Sequence, residues 1–253
     1  MREIGRTLRA TAVREIARQG KTLGRALIGA AVQNAMLVGG FLVLAQLTGF
    51  GGAGLRGDLL AYLLAGVFLF NLHAKAMSAA MSSADALPAG RLYHTDPLIQ
   101  ATGGAIGAAY LQLVSAAGLI LAYHALVSSI EAAMTAPLPL LAASWISGLG
   151  IGLVLLRIKA RAPGLASMAA MGWMRVGMVT SGAMFVANAL PGGFLAWVTW
   201  NPIFHAVDQA RGLAFANYVA RHSEAWPAYA FAALAILVGL VANRAKRGSG
   251  TGV

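Results

Sequence analysis

Three groups of residues in this sequence have types and spacings that could do chemistry. The first is a run of cations, Arg14, Arg18, Lys21 and Arg25, at i, i+4, i+7 and i+11. At 100° per residue they form one stripe of a helix, with Val13, Ile16, Leu23 and Leu27 nearly opposite. Such a stripe attracts phosphate, either the headgroups of a lipid surface or the phosphate or diphosphate head of a substrate. The second group is Trp197, Trp200, Phe204, His205, Asp208 and Arg211. Aromatic faces hold sugar rings without locking them, and the same side chains anchor proteins at a membrane–water interface. Asp208 and Arg211 are i, i+3 and can pair; with His205 they either fix the local helices or touch a ligand. The third group lies in the polar stretch 78–97, with Pro88, Arg91, Tyr93, His94, Asp96 and Pro97. It reads as a solvated loop or as a short docking helix for a cytosolic partner.

Enzymatic motifs fail one by one. Gly20-Lys21-Thr22 resembles the end of a phosphate-binding loop, but Glu15 stands where that pattern needs glycine. Gly49, Gly51 and Gly54 fit a dinucleotide fingerprint with no strand before them. The eight acidic residues are scattered, and the five histidines share no metal-ligand spacing. With no cysteine there is no thiolate nucleophile and no disulfide. The expectation is a chain without catalytic residues, metal or nucleotide site of its own.

The elements that would position these groups follow from composition. Of 253 residues, 58% are hydrophobic and 11% charged, and the mean hydropathy is +0.71. Soluble domains carry about 25% charged residues, so a water-exposed surface cannot be covered. A polytopic helical membrane protein remains, each span needing about 20 apolar residues. The sequence predicts an all-α integral membrane fold with six transmembrane helices. A basic amphipathic interfacial helix occupies 1–26, and spans one to five fall within 27–190, at about 27–47, 59–77, 98–126, 138–156 and 173–190. Span six is 226–243, and 244–253 is a cytoplasmic tail. Within 191–225, Asn201-Pro202 is a helix start, Asn as cap and Pro at the first turn, and that helix is expected to reach about Tyr218. The segment reads as two short helices with a break. They form either a re-entrant pair buried in protein at membrane depth or a pair of interfacial helices with an aromatic belt.

Charge sets the expected orientation. With the N-terminus inside, one side holds seven Lys and Arg in 1–26, then Lys75, Arg91, Arg157, Lys159, Arg161, Arg175, Arg244, Lys246 and Arg247. The other side holds only Arg56, Arg211 and Arg221. That asymmetry places both termini in the cytoplasm and accounts for the net charge of +11 without nucleic acid. Gly103 with Gly107, and Gly148 with Gly152, match the small-xxx-small spacing for close helix approach. Packing inside the chain is the expectation, a dimer seam the alternative. Gln100 and Gln112 read as interhelical hydrogen bonds, and Lys75 as snorkelling toward the interface.

The stretch Ser181-Gly182-Ala183-Met184-Phe185, then Ala189-Leu190-Pro191, then Trp200-Asn201-Pro202 with His205 and Arg211, resembles the C-terminal signature of type-2 ABC exporter permeases, in particular the capsule and O-antigen polysaccharide branch. Leu92-Tyr93-His94 followed by Asp96 is similar to that family's second cytoplasmic loop. The resemblance runs over about 60–247. It implies a homodimeric permease of the bacterial inner membrane that exports lipid-linked polysaccharide. It implies a separate cytosolic ATPase that carries the ATP and magnesium and docks at Arg91, Leu92, Tyr93, His94 and Asp96. It implies an inner gate at the N-terminal helix with Arg14, Arg18, Lys21 and Arg25, and a substrate path at Trp197, Trp200, Phe204, His205, Asp208 and Arg211. The rival readings are a type-2 permease for a lipid, drug or other small molecule, and an integral membrane enzyme of lipid-linked sugars.

Overall fold

The structure, a computed structural model, describes residues 2–20, 22–48, 59–83, 96–126, 133 and 135–244. The described residues are helical, without strands. The helices are α1 (Arg2–Gln19), α2 (Leu23–Thr48), α3 (Leu59–Met81), α4 (Pro97–Leu126), α5 (Leu138–Lys159), α6 (Pro163–Thr180), α7 (Gly192–Leu195), α8 (Pro202–Ala214) and α9 (Trp226–Arg244). Five of them, α2, α3, α4, α5 and α9, are long and apolar enough to cross a membrane. This is the fold of a membrane protein: apolar runs close all their backbone hydrogen bonds internally, which hydrocarbon demands.

The chain departs from the expected boundaries in four places. The amphipathic helix does not run through 26. It ends at Gln19, and α2 starts at Leu23. Gly20 sits where any larger residue would collide with the backbone of Ala26, so the chain turns sharply there. The run placed at 173–190 is instead α6, which starts at Pro163 and stops at Thr180. Pro163 occupies the first turn, where its missing N–H costs nothing. Gly182 has φ +78, which ends helical geometry, and Arg175 lowers the helix's apolar character. Residues 181–201 then form turns, a 3-10 turn at Ala187–Ala189 and α7, so the first of the two short helices expected within 191–225 is only the four residues Gly192–Leu195. The helix expected to reach Tyr218 stops at Ala214.

Glycines set the helix crossings. A side-chain carbon on Gly103 would collide with Thr11, and one on Gly107 with the Ala12 backbone, so α1 lies directly against α4. Gly148 meets the His73 backbone and Gly152 meets Met77 and Ala80, which brings α5 alongside α3 in the same direction. Both pairs therefore pack inside the chain. Gly150 faces Ala235 and Ile236, Gly239 faces Gly150 and Leu153, and Asn243 Nδ2 donates to the Leu153 carbonyl at 2.9 Å. So α9 runs parallel to α5. Helix α6 runs the other way beside α3: Ala170 packs with Met77, Trp173 meets His73, and Gly177 sits over Phe70.

The close approach of α1 to α4 yields a direct expectation. In Gly107→Val the added methyls press on the Ala12 backbone, a clash of about 1–3 kcal/mol. The variant should unfold at lower temperature in detergent, and trypsin should cut faster at Arg14 and Arg18. An unchanged digestion pattern would contradict the packing.

Candidate functional site: a buried cap at one end of the bundle

Three clusters hold most of the buried polar side chains among the described residues. The first is at the start of α3, where α8 inserts among α3, α5 and α9. Asn201 caps α8, its side-chain oxygen accepting from the Ile203 N–H at 2.9 Å, while its Nδ2 donates to Thr180 Oγ1 at 2.7 Å. One capping residue thus ties α8 to the end of α6. Ile203, Phe204, Ala206, Val207, Asp208, Ala210 and Arg211 are buried, so most of the helix surface is covered.

Arg211 is the centre of this cap, at 1% exposure. Its guanidinium donates from Nε to the Tyr62 carbonyl at 2.9 Å, from Nη1 to Phe185 at 2.9 Å and from Nη2 to Gly182 at 2.8 Å. The planar fork reaches three carbonyls on two segments at once, which an ammonium cannot do. Gly66 is part of the fit, because a Cβ there would strike the guanidinium. A guanidinium stays cationic even in such burial. The expected Asp208–Arg211 pair is not formed. Asp208, at 0% exposure, accepts instead from the Tyr218 hydroxyl and from Ser223 Oγ at 2.7 Å. Burial raises the Tyr218 pKa, keeping the phenol protonated to donate. Gln209 Nε2 adds a bond to the Ser223 carbonyl at 2.7 Å. Together these bonds fasten the 215–225 loop onto α8.

His205 has both ring nitrogens engaged: Nε2 meets the Thr199 carbonyl at 2.8 Å, and Nδ1 accepts from the Glu224 N–H at 3.1 Å. The carbonyl can only accept and the amide can only donate, so the ring is the neutral Nε2–H tautomer. Phe204, expected to offer a stacking face, is 1% exposed and packs with Ala187 and Val198. It belongs to the core, because the inward side of α8 is where an apolar ring gains most from burial. The aromatics that remain open are Trp197 at 76% and Trp200 at 56% exposure, with Phe194 and Trp226 also exposed.

The second cluster crosses three spans. Asn34 Oδ1 accepts from Asn71 Nδ2 at 2.6 Å and from Gln112 Nε2 at 3.0 Å, and Asn34 Nδ2 donates to Ser115 Oγ at 3.2 Å. The third joins α3, α5 and α6. Trp173 Nε1–H donates to His73 Nε2 at 2.9 Å, and His73 Nδ1 lies 2.9 Å from Ser147 Oγ. Because indole only donates, His73 carries its proton on Nδ1. Among the described residues no group of three or more His, Cys, Asp or Glu could hold a metal ion.

The cationic stripe is divided. Arg14 and Arg18 are on α1, Arg25 is an exposed residue of α2 beyond the turn, and Lys21 lies outside the described residues. Arg18 pairs with the buried Glu15 through both carboxylate oxygens, at 2.9 and 2.8 Å. Of the docking set, Arg91, Leu92, Tyr93 and His94 lie outside the described residues, and Asp96 Oδ1 accepts from the Leu98 N–H at 3.0 Å at the start of α4. Sequence reasoning missed Asn34, Ser115, Trp173, Tyr62 and Tyr218. The available signal was the presence of amides inside three apolar runs, Asn34, Asn71 and Gln112 among them. No protein-family model and no curated protein matches the chain.

Proposed function

We propose that the chain is the membrane-spanning permease subunit of an ABC exporter of lipid-linked polysaccharide, working as a homodimer in a bacterial inner membrane with both termini cytoplasmic. The observation that carries this reading is the buried cap: a short helix locked among three spans at one end of the bundle, with Trp197 and Trp200 open beside it. Broken helical structure at membrane depth is tolerated where protein buries it or a cavity is lined by it. The parallel α5 and α9 need one return crossing between them, and α6 beside α3 supplies it. That counts six crossings, with the cap on the outer side and 181–214 as the re-entrant segment. A separate cytosolic ATPase, holding ATP and magnesium, pushes on 78–97, and this subunit performs no chemistry. The resemblance in the C-terminal third supports the polysaccharide branch.

A cavity of about 450 Å³ favours a second reading, export of a lipid or other amphiphile. It lies among α2, α3, α4, α5 and α8, and its described walls are apolar apart from Asn34.

Co-expression with a candidate ATPase tests the proposal. The chain should co-purify with it and stimulate its ATP hydrolysis, and absence of both sinks the reading. The Trp197→Ala, Trp200→Ala double variant should fold normally, within about 0.5 kcal/mol, since both rings are exposed. It should nonetheless cut glycan export at least tenfold; undiminished export would favour the amphiphile. Because the chain has no cysteine, single cysteines at 9 and 197 report sidedness without background. Labelling of position 197 from the cytosol would overturn the topology.

A further inference from the structure

At the opposite end of the bundle from the cap, α1 and α3 enclose a small polar cavity of about 240 Å³, lined by Glu15, Arg18, Gln19, Lys75 and Ser78. Every described lining side chain is polar or charged, in a chain that is 58% hydrophobic. Among the described lining residues the charges of Glu15, Arg18 and Lys75 leave one positive charge over. Both Glu15 oxygens are taken, Oε2 by Arg18 Nε and Oε1 by Arg18 Nη2 and Gln19 Nε2, the last at 2.9 Å. That carboxylate is therefore neutralised by Arg18. Lys75 then supplies the net positive charge, and its Nζ donates one bond, to Gln33 Oε1 at 2.8 Å. An ammonium has three donors, so two remain to face the cavity.

Position selects the ligand. Lys75 lies six residues before the end of α3 at Met81, about 9 Å of helix rise. With the end of α3 at the outer edge of the headgroup layer, that is about the depth at which headgroups meet the acyl chains of a bilayer. A cation there, beside an open polar cavity, matches a molecule with an anionic head and hydrocarbon tails. We propose that this cavity binds the phosphate of an anionic phospholipid, with Lys75 as the direct ligand, Arg18 held toward it by Glu15, and Ser78 and Gln19 as hydrogen-bonding walls. The bound lipid bridges α1 and α3. This inference rests only on membrane insertion, not on the export reading, because its test involves neither an ATPase nor a glycan.

The full chain, purified in neutral detergent, is offered phosphatidylglycerol and phosphatidylcholine together, and the retained lipid is counted by native mass spectrometry. The wild-type chain should retain phosphatidylglycerol preferentially. Lys75→Met should lower that retention about tenfold, the size of one charge-assisted hydrogen bond, and Lys75→Arg should preserve it. Ser78→Leu fills the cavity without changing charge and should also exclude the lipid, which keeps the test decisive if Lys75→Met misfolds. Inorganic phosphate separates the two sources of the same chemistry: its displacement of the lipid at equal concentration would make this a free-anion site and overturn the assignment. Equal retention by the wild type and Ser78→Leu, or by the wild type and a folded Lys75→Met, would overturn it as well.

Discussion

Arg211→Met is expected to cost about 3–5 kcal/mol and to abolish the cap. Truncation leaves the carbonyls of Tyr62, Phe185 and Gly182 buried with one donor fewer each, and an acceptor stranded away from water costs about 1–3 kcal/mol. It also removes a positive charge that interacts electrostatically with the buried Asp208 carboxylate. Thermal unfolding in detergent should drop sharply, and α8 should become accessible to proteases. Arg211→Lys should rescue little, because a single ammonium cannot reach three carbonyls in different directions. Gly66→Leu should mimic the loss by displacing the guanidinium. A folded Arg211→Met chain with wild-type melting behaviour would show that α8 is held by apolar contact alone.

Asn34→Leu should produce the second largest loss, about 2–4 kcal/mol. The amides of Asn71 and Gln112 and the hydroxyl of Ser115 all meet at this one side chain. Interhelical hydrogen bonds in membranes are worth about 0.6–1.7 kcal/mol apiece, and here three vanish together. The coupling is the sharper readout. Gln112→Leu alone should destabilise, but in the double variant with Asn34→Leu the two losses should fall short of their sum, since both remove the same bond. Strict additivity would mean that the amides do not share a network. The same substitution changes the one polar side chain among the described residues lining the 450 Å³ cavity. An altered binding of amphiphiles in Asn34→Leu would then support the second functional reading.

Legibility differed between regions for physical reasons. The spans at Leu59–Met81, Pro97–Leu126, Leu138–Lys159 and Trp226–Arg244 stand within a few residues of their expected limits, because about 20 consecutive apolar residues leave the chain no other stable state in a bilayer. The start of α8 at Pro202 was equally readable, since Asn-Pro is a local signal and its cap bond is made locally. The region 160–201 was not. Its residues are moderately apolar throughout, so hydropathy alone slid the helix ten residues downstream, whereas Pro163 and the positive φ of Gly182 decide where it begins and ends. Phe204 and the Asp208–Arg211 pair were misread for a related reason. Spacing on one helix says which residues are neighbours, not which face the rest of the bundle covers.

What the sequence by itself determined is the class of molecule, helical and membrane-embedded, because composition and apolar run length are properties of the chain alone. It also marked four of the glycines that carry helix contacts, Gly103, Gly107, Gly148 and Gly152, since the four-residue spacing is local. Only the tertiary structure decided the partners: Arg211 with three carbonyls, Asp208 with Tyr218 and Ser223, Asn34 with three spans, and Lys75 beside the Glu15–Arg18 pair. These bonds join residues up to 149 positions apart. A buried polar group takes whichever acceptor or donor the packing of apolar helices brings to it, and that packing is a property of the whole bundle.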